Sequence, residues 1–125
     1  MRQHLVAVDV GTGSARAGVF DASGRLIARA THPIIMQRLK ADHAENDSAD
    51  SWNAVCIAGG QTRADAAIPA SSVAAFGFDA TCSLVVRELQ GQQVTVSTAG
   101  EERFDTIVWL DHRAIAQADF LSTSG

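Results

Sequence analysis

Cysteine is scarce in this chain: Cys56 and Cys82 are the only two, and they lie far apart. Two isolated thiols form neither a metal-ligating nor a redox motif. They are expected to stay reduced in a cytoplasmic setting, buried as small apolar groups. Long apolar runs are missing as well. None approaches the roughly 20 residues of a membrane span. Nor does the N-terminus have a secretory pattern, because Met1-Arg2-Gln3-His4 leads straight into a strand and Asp9 interrupts the apolar region. Positive charge is in deficit, 10 Lys and Arg against 14 Asp and Glu, for a formal net charge of −4. A nucleic-acid backbone is therefore not the expected partner, since it wants a basic face. Internal repeats and low-complexity segments are lacking too.

What remains suits a soluble globular protein. The chain has 125 residues, 46% hydrophobic and 19% charged, enough for one modest domain with its own core. Residues 3–9, 15–21 and 25–31 read as strands. Asp21-Ala22-Ser23-Gly24 supplies hairpin chemistry between the last two. Strands joined by such short turns are antiparallel neighbours. Arg16, Gly18 and Phe20 then share one face of the second strand, and Ala15, Ala17 and Val19 the other. Residues 32–47 look irregular. Asp47 or Ser48 caps a helix that runs to about residue 66, with Trp52, Val55, Cys56 and Gly59 on its apolar face. Gly59-Gly60 is a flaw in that helix, costing about 1 kcal/mol each relative to Ala; a kink or a closely packed partner is expected there. A short buried strand, Val73 to Phe78, ends at Asp79. A hairpin turns around Gln90-Gly91, Thr106 to Leu110 forms a strand, and a helix starts at Asp111 with Ala114, Ile115, Ala118 and Leu121 on its apolar face. The order β-β-β-α-β, then hairpin, strand and helix, predicts an α/β domain with a mixed sheet.

The most informative stretch is Asp9-Val10-Gly11-Thr12-Gly13-Ser14. A carboxylate ends a strand and a Gly/Thr/Gly/Ser turn follows. Glycines let backbone N–H groups converge on an anion, and Thr and Ser add hydroxyls. A fixed carboxylate beside a phosphate cradle suits a magnesium nucleotide, whose metal bridges protein and phosphate oxygens. An ordinary hairpin turn that contains an Asp accounts for the same residues. Spacing alone leaves both readings open.

Three further segments narrow the choice: Val19-Phe20-Asp21-Ala22-Ser23-Gly24, Phe76-Gly77-Phe78-Asp79-Ala80-Thr81-Cys82-Ser83-Leu84-Val85-Val86, and Ile107-Val108-Trp109-Leu110-Asp111-His112-Arg113-Ala114. With the first motif, and in this order, they resemble the N-terminal part of an FGGY-family carbohydrate kinase, on the ribulokinase-like, pentulose kinase branch. The resemblance covers essentially the whole chain, residues 1–125. It implies a ribonuclease H-like (actin-like ATPase) core, the N-terminal portion of a two-domain sugar kinase that uses ATP and Mg2+. Family chains are several times longer, so the second domain and the catalytic base, an aspartate, are expected beyond residue 125. A piece of this kind is expected to be inactive alone and to self-associate through the face left open.

The resemblance also implies site roles. Asp9 helps hold magnesium; Gly11, Thr12, Gly13, Ser14 and Arg16 surround the phosphates. Asp79 and Thr81 line the sugar site, with Trp109, Asp111 and His112 in a second sugar-side motif. Each has a plainer alternative: Asp79 as a turn residue, Trp109 as core, Asp111 as a helix N-cap. One departure from the family stands at Glu45-Asn46, where many members carry Glu-Gln followed by Pro. His4, His32 and His43 lack ligand-like spacing and read as structural or exposed. The rival functions are a non-catalytic sugar- or phosphate-binding remnant of the same fold, and a different actin-like ATPase, which would not need the Trp109–Arg113 segment.

Overall fold

A computed structural model describes residues 3–124, which form two compact units. The first contains the residues up to Ile35 together with Ala49–Thr81; the second contains Met36–Ser48 and the residues from Cys82 onward.

The first unit is a four-stranded mixed sheet with one helix. Strands β1 (His4–Val10), β2 (Ser14–Asp21), β3 (Leu26–Pro33) and β6 (Val73–Ala80) lie in the order β3-β2-β1-β6. The three N-terminal strands are antiparallel, as their short turns require, and β6 runs parallel to β1 after the crossover through helix α1 (Ser48–Asp65). The Asp21–Gly24 turn forms as expected. Asp21 accepts from the Ser23 and Arg25 amides, and Gly24 takes the positive φ of +84° that its lack of a Cβ permits. Alternation sends Val6 and Val8 of β1 and Ala15, Ala17 and Val19 of β2 to one face, where they form the core with Ala54, Val55 and Ala58 of α1. Burying each valine contributes about 1.5–3 kcal/mol.

The helix appears where expected and Val55 is buried as expected, but the rest of the buried face differs. Ala54, Val55, Ala58 and Thr62 face the sheet, while Trp52 is 62% exposed and Cys56 is exposed. Small side chains let the helix lie close to the strands, and the bulky indole projects away. The helix passes through Gly59 and Gly60 without a break, and a Cβ at either would meet nothing within 4 Å. Strand β6 is not buried. It is a sheet edge among the described residues, and Phe76 and Phe78 are more than half exposed. The thiol of Cys82 is also exposed rather than buried.

The second unit holds a small antiparallel sheet in the order β4-β5-β8-β7, made of Met36–Gln37 (β4), Glu45–Asn46 (β5), Leu84–Val85 (β7) and Thr106–Ile107 (β8). Two of these strands fall within residues 32–47, which lack a local strand pattern; β5 is held by its distant partner β8. The turn at Gln90-Gly91 forms, with Gly91 at φ +89° and the Gly91 amide donating to the Glu88 carbonyl, but the ladder is shorter than the sequence suggests. Helix α2 spans Ile115–Thr123 and none of its residues is buried, so its apolar face is uncovered. It begins four residues after Asp111, with Ala114 at its N-cap. No helix among the described residues is long and apolar enough to cross a membrane.

Candidate functional site

In the first unit, the sheet brings three charged residues to the C-terminal ends of the parallel strands β1 and β6. Asp9 is the register partner of Asp79 on one side and of Arg16 on the other. All three lie on the face opposite α1 and line an open cavity of about 470 Å³, whose floor includes Ala7, Gly18 and Gly77. The carboxyl ends of parallel strands are where α/β sheets commonly bind ligands. Arg16 Nη2 lies 2.7 Å from Asp9 Oδ2, with the two side chains 55% and 50% exposed. A pair so exposed to water contributes about 0–1 kcal/mol. It positions both groups, yet either can be drawn to a ligand at little cost. Asp79 accepts the following amide, that of Ala80, at 3.0 Å.

The turn between β1 and β2 carries Gly11, Thr12, Gly13 and Ser14. It closes with the Gly11 amide donating to the Ser14 carbonyl at 2.9 Å, and the Gly13 carbonyl accepting from Ile34 at 2.9 Å. Neither glycine has a positive φ among the described residues. Space, not backbone conformation, demands glycine at position 11. A Cβ there would stand 3.0 Å from Arg16 Nη2 and 3.2 Å from the Ser14 oxygen. At Gly13 a Cβ would meet nothing, so the bare backbone faces open space. Thr81 follows β6, and its amide donates to the Val10 carbonyl at 3.3 Å. Asp9, Gly11, Thr12, Gly13, Ser14, Arg16, Asp79 and Thr81 thus all belong to this unit, at the same ends of β1 and β6.

Trp109, Asp111 and His112 belong to the second unit. Trp109 is 57% exposed, so it is not a core residue; its amide donates to Ser83 Oγ at 3.2 Å. His112 is exposed, and its amide donates to the Asp42 carbonyl at 2.8 Å. The Asp111 side chain, between them, is buried. Oδ2 accepts from the Ala44 amide at 2.7 Å, and Oδ1 from the Arg113 amide at 3.0 Å. Arg113 adds a fork, Nε to Oδ1 at 2.8 Å and Nη2 to Oδ2 at 2.6 Å. Burial by itself would raise the Asp111 pKa, but these bonds outweigh it and bring the carboxyl down to about 2. Asp111 is not the N-cap of α2; its carboxylate ties the turn to Ala44 instead.

Two buried acids have roles that local sequence does not reveal. Glu45 is fully buried in β5 and accepts from Arg113 Nη2 at 2.9 Å. Asp105 is also fully buried; it accepts from the Ser48 amide at 2.9 Å, Ser48 Oγ at 2.6 Å and Thr106 Oγ1 at 3.0 Å, with Arg87 Nε at 3.3 Å. Burial pushes its pKa up, and the Ser48 and Thr106 bonds more than offset this, holding it below the ordinary carboxylate range. His43, read as structural or exposed, is buried with Nδ1 2.7 Å from Asp42 Oδ1. Only the acidity of Glu45 and the basicity of Arg113 hinted at the network; the pairing itself depends on chain folding.

Comparison with known proteins gives consistent findings. The sequence profile of the FGGY family of carbohydrate kinases, N-terminal domain, matches residues 4–125. A human FGGY carbohydrate kinase domain-containing protein is 40% identical over 117 residues, covering 94% of this chain and 21% of its own length. A D-ribulokinase of Saccharomyces cerevisiae is 37% identical over 122 residues, covering 96% of this chain and 17% of its own. A glycerol kinase of Pseudarthrobacter chlorophenolicus is 31% identical over 127 residues, covering all of this chain and 23% of its own. Among solved structures, a ligand-bound xylulose kinase from Lactobacillus acidophilus superposes with a TM-score of 0.83 at 20% identity, covering 98% of this chain and 23% of that one. A gluconate kinase from the same organism gives 0.80 at 19%, with the same coverage. At those identities the structural likeness shows the fold alone, the α/β fold of the N-terminal part of these sugar kinases. The chain spans about a fifth of the length of its curated relatives.

Proposed function

The chain belongs to the FGGY family of carbohydrate kinases, and from that premise we propose that it is the N-terminal part of an ATP-dependent kinase that phosphorylates a pentulose such as ribulose. The observation that carries the reading is the register of Asp9 between Arg16 and Asp79, beside a bare glycine turn. The pentulose is favoured because the D-ribulokinase relative is more similar than the glycerol kinase, at 37% against 31% identity.

The residues fit a magnesium nucleotide. Among the described residues no cluster of three or more His, Cys, Asp or Glu could hold a metal by itself. Magnesium commonly needs only one or two carboxylates, with waters and phosphates completing its shell. When bound, the nucleotide supplies the phosphoryl group and magnesium neutralises its charge. The protein's part is to position. Asp9 offers a half-exposed oxygen donor to the metal. Gly11 and Gly13 keep side chains out of the way of the phosphates, Thr12 and Ser14 offer hydroxyls, and Arg16 is a cation that can leave Asp9 for a phosphate oxygen. Asp79 and Thr81 receive sugar hydroxyls, which would be costly to bury unpaired. In the second unit, Trp109 offers an apolar face to sugar C–H groups and His112 an exposed ring to a hydroxyl, while the buried Asp111 carboxylate supports their turn instead of touching the sugar. The relatives are several times longer than this chain, and the base that accepts the hydroxyl proton is expected in the part of such a kinase that these 125 residues do not span. The 125-residue chain therefore shows no turnover with D-ribulose in a coupled ADP-release assay.

The test is Asp9→Ala in the full-length kinase that carries this segment. Charge-assisted contacts are worth about 1.5–3 kcal/mol, so calorimetry is expected to find affinity for magnesium ATP reduced by roughly tenfold to a hundredfold. Unchanged affinity overturns the reading.

A further inference from the structure

We propose that Arg113 is a positioning residue: its guanidinium fixes the Trp109–His112 turn by clamping Asp111 to Glu45, and so sets where Trp109 and His112 meet a ligand. The ligand's identity as a sugar rests on the reading above; the clamp does not.

Three acceptors from separate parts of the unit converge on this one side chain. Nε and Nη2 fork onto Asp111, Nη2 also reaches Glu45 Oε1 at 2.9 Å, and Nη1 donates to the Val96 carbonyl at 3.0 Å. The side chains of Asp111 and Glu45 are each 1% exposed, and that of Arg113 is 19%. A guanidinium so committed has little donor capacity left for a ligand, which distinguishes it from a contact residue. What it holds is the turn. The Val108 amide donates to the Ala44 carbonyl at 3.0 Å, the Asp111 amide to the Val108 carbonyl at 2.8 Å, and the His112 amide to Asp42 at 2.8 Å. Asp111 Oδ2 closes the set by accepting from Ala44. The turn's exposed groups, Trp109 and His112, thus flank a buried, immobilised carboxylate. Two acids facing one cation need a planar fork that addresses both, and an ammonium cannot reproduce that geometry. A displacement of 1 Å in a positioning element can cost about a hundredfold in activity.

The decisive variant is Arg113→Lys, which keeps the charge. Two measurements are made. Trp109 fluorescence anisotropy is read in a Trp52→Phe background, since the chain has only two tryptophans; Arg113→Lys, still folded by circular dichroism, is expected to show faster local motion of the indole. In the full-length kinase the same change is expected to raise the sugar KM about tenfold or more while the ATP KM stays unchanged. Should Arg113→Lys not fold, Glu45→Gln, which takes the charge from only one arm of the clamp, is used with the same expectations at smaller size. Unchanged anisotropy in a folded variant overturns the proposal, and so does a fall in kcat alone with both KM values unmoved. If the unsubstituted kinase phosphorylates no pentulose, the functional reading falls while the anisotropy arm still decides the clamp.

Discussion

Replacing Asp111 with Asn should weaken the second unit by an amount that depends on pH in a way the structure fixes. Asp111 accepts from the Ala44 amide, the Arg113 amide and the Arg113 fork, and its carboxyl is brought from the ordinary 3.8 down to about 2. Asparagine keeps the size and one acceptor oxygen. Glu45 still faces Arg113 at 2.9 Å, so the change leaves no unpaired cation. A depressed carboxylate pKa stabilises the folded state above the unfolded pKa, and that contribution is lost as pH falls through the folded pKa. A fall of nearly two pH units corresponds to about 2 kcal/mol at about 1.4 kcal/mol per unit. Near neutral pH the variant should therefore be less stable by about 2 kcal/mol. The gap should begin to close near pH 4 and should be small at pH 2. The assay is urea unfolding at intervals from pH 2 to 7, followed by Trp109 fluorescence with Trp52 replaced by Phe. Asp105 also titrates low, but it does so in both proteins and cancels in the difference. A gap that stays constant down to pH 2, or no gap at pH 7, would refute the reasoning.

Gly11→Ala should cost about 1–3 kcal/mol through crowding of Arg16 and the Ser14 oxygen. Part of that cost should vanish in an Arg16→Ala background, a non-additivity that a thermodynamic cycle measures. Asp105→Asn should lower stability by about 3 kcal/mol, because an amide cannot accept at both oxygens from Ser48. Hydrogen exchange at the Ser48 amide should accelerate in that variant, and an unchanged rate would show that Asp105 does not hold that amide.

The sequence showed most where the determinants are local. Strands β1 to β3 were legible because alternating side chains and the Asp21–Gly24 turn define them without help from elsewhere. The start of α1 was legible for the same reason, but its buried face was not. Trp52 and Cys56 look more apolar than Ala54 and Ala58, yet the alanines are buried because they allow close approach to the sheet. The apolar run of β6 suggested burial, but a strand's place at a sheet edge is a property of the whole topology. Asp9, Gly11 and Arg16 were visible as a cluster in sequence, and folding added Asp79 through the β1–β6 register. Glu45 and Asp105 escaped because a buried acid is recognisable only by partners that lie far away in the chain.

The two groups of charges differ in what they can do, and burial decides the difference. Asp9 and Arg16 touch directly at 2.7 Å and are half exposed to water; salt screens such a pair and a ligand can divide it at a cost of about 1 kcal/mol or less. The Glu45 and Asp111 side chains are withdrawn from water around Arg113, and removing the cation that they share would leave two buried carboxylates without it, a loss that typically costs about 3–5 kcal/mol. Thermal motion opens the first routinely and the second rarely. The first is therefore suited to exchanging partners when a charged ligand arrives and leaves. The second is suited to keeping a surface turn in one shape throughout. A site that must release its product needs the first property where the charge changes, and a site that must distinguish one arrangement of hydroxyls from another needs the second where they are read. On the proposed function, Asp9 and Arg16 beside an open glycine turn have the first property, and Asp111 beneath the exposed Trp109 and His112 has the second.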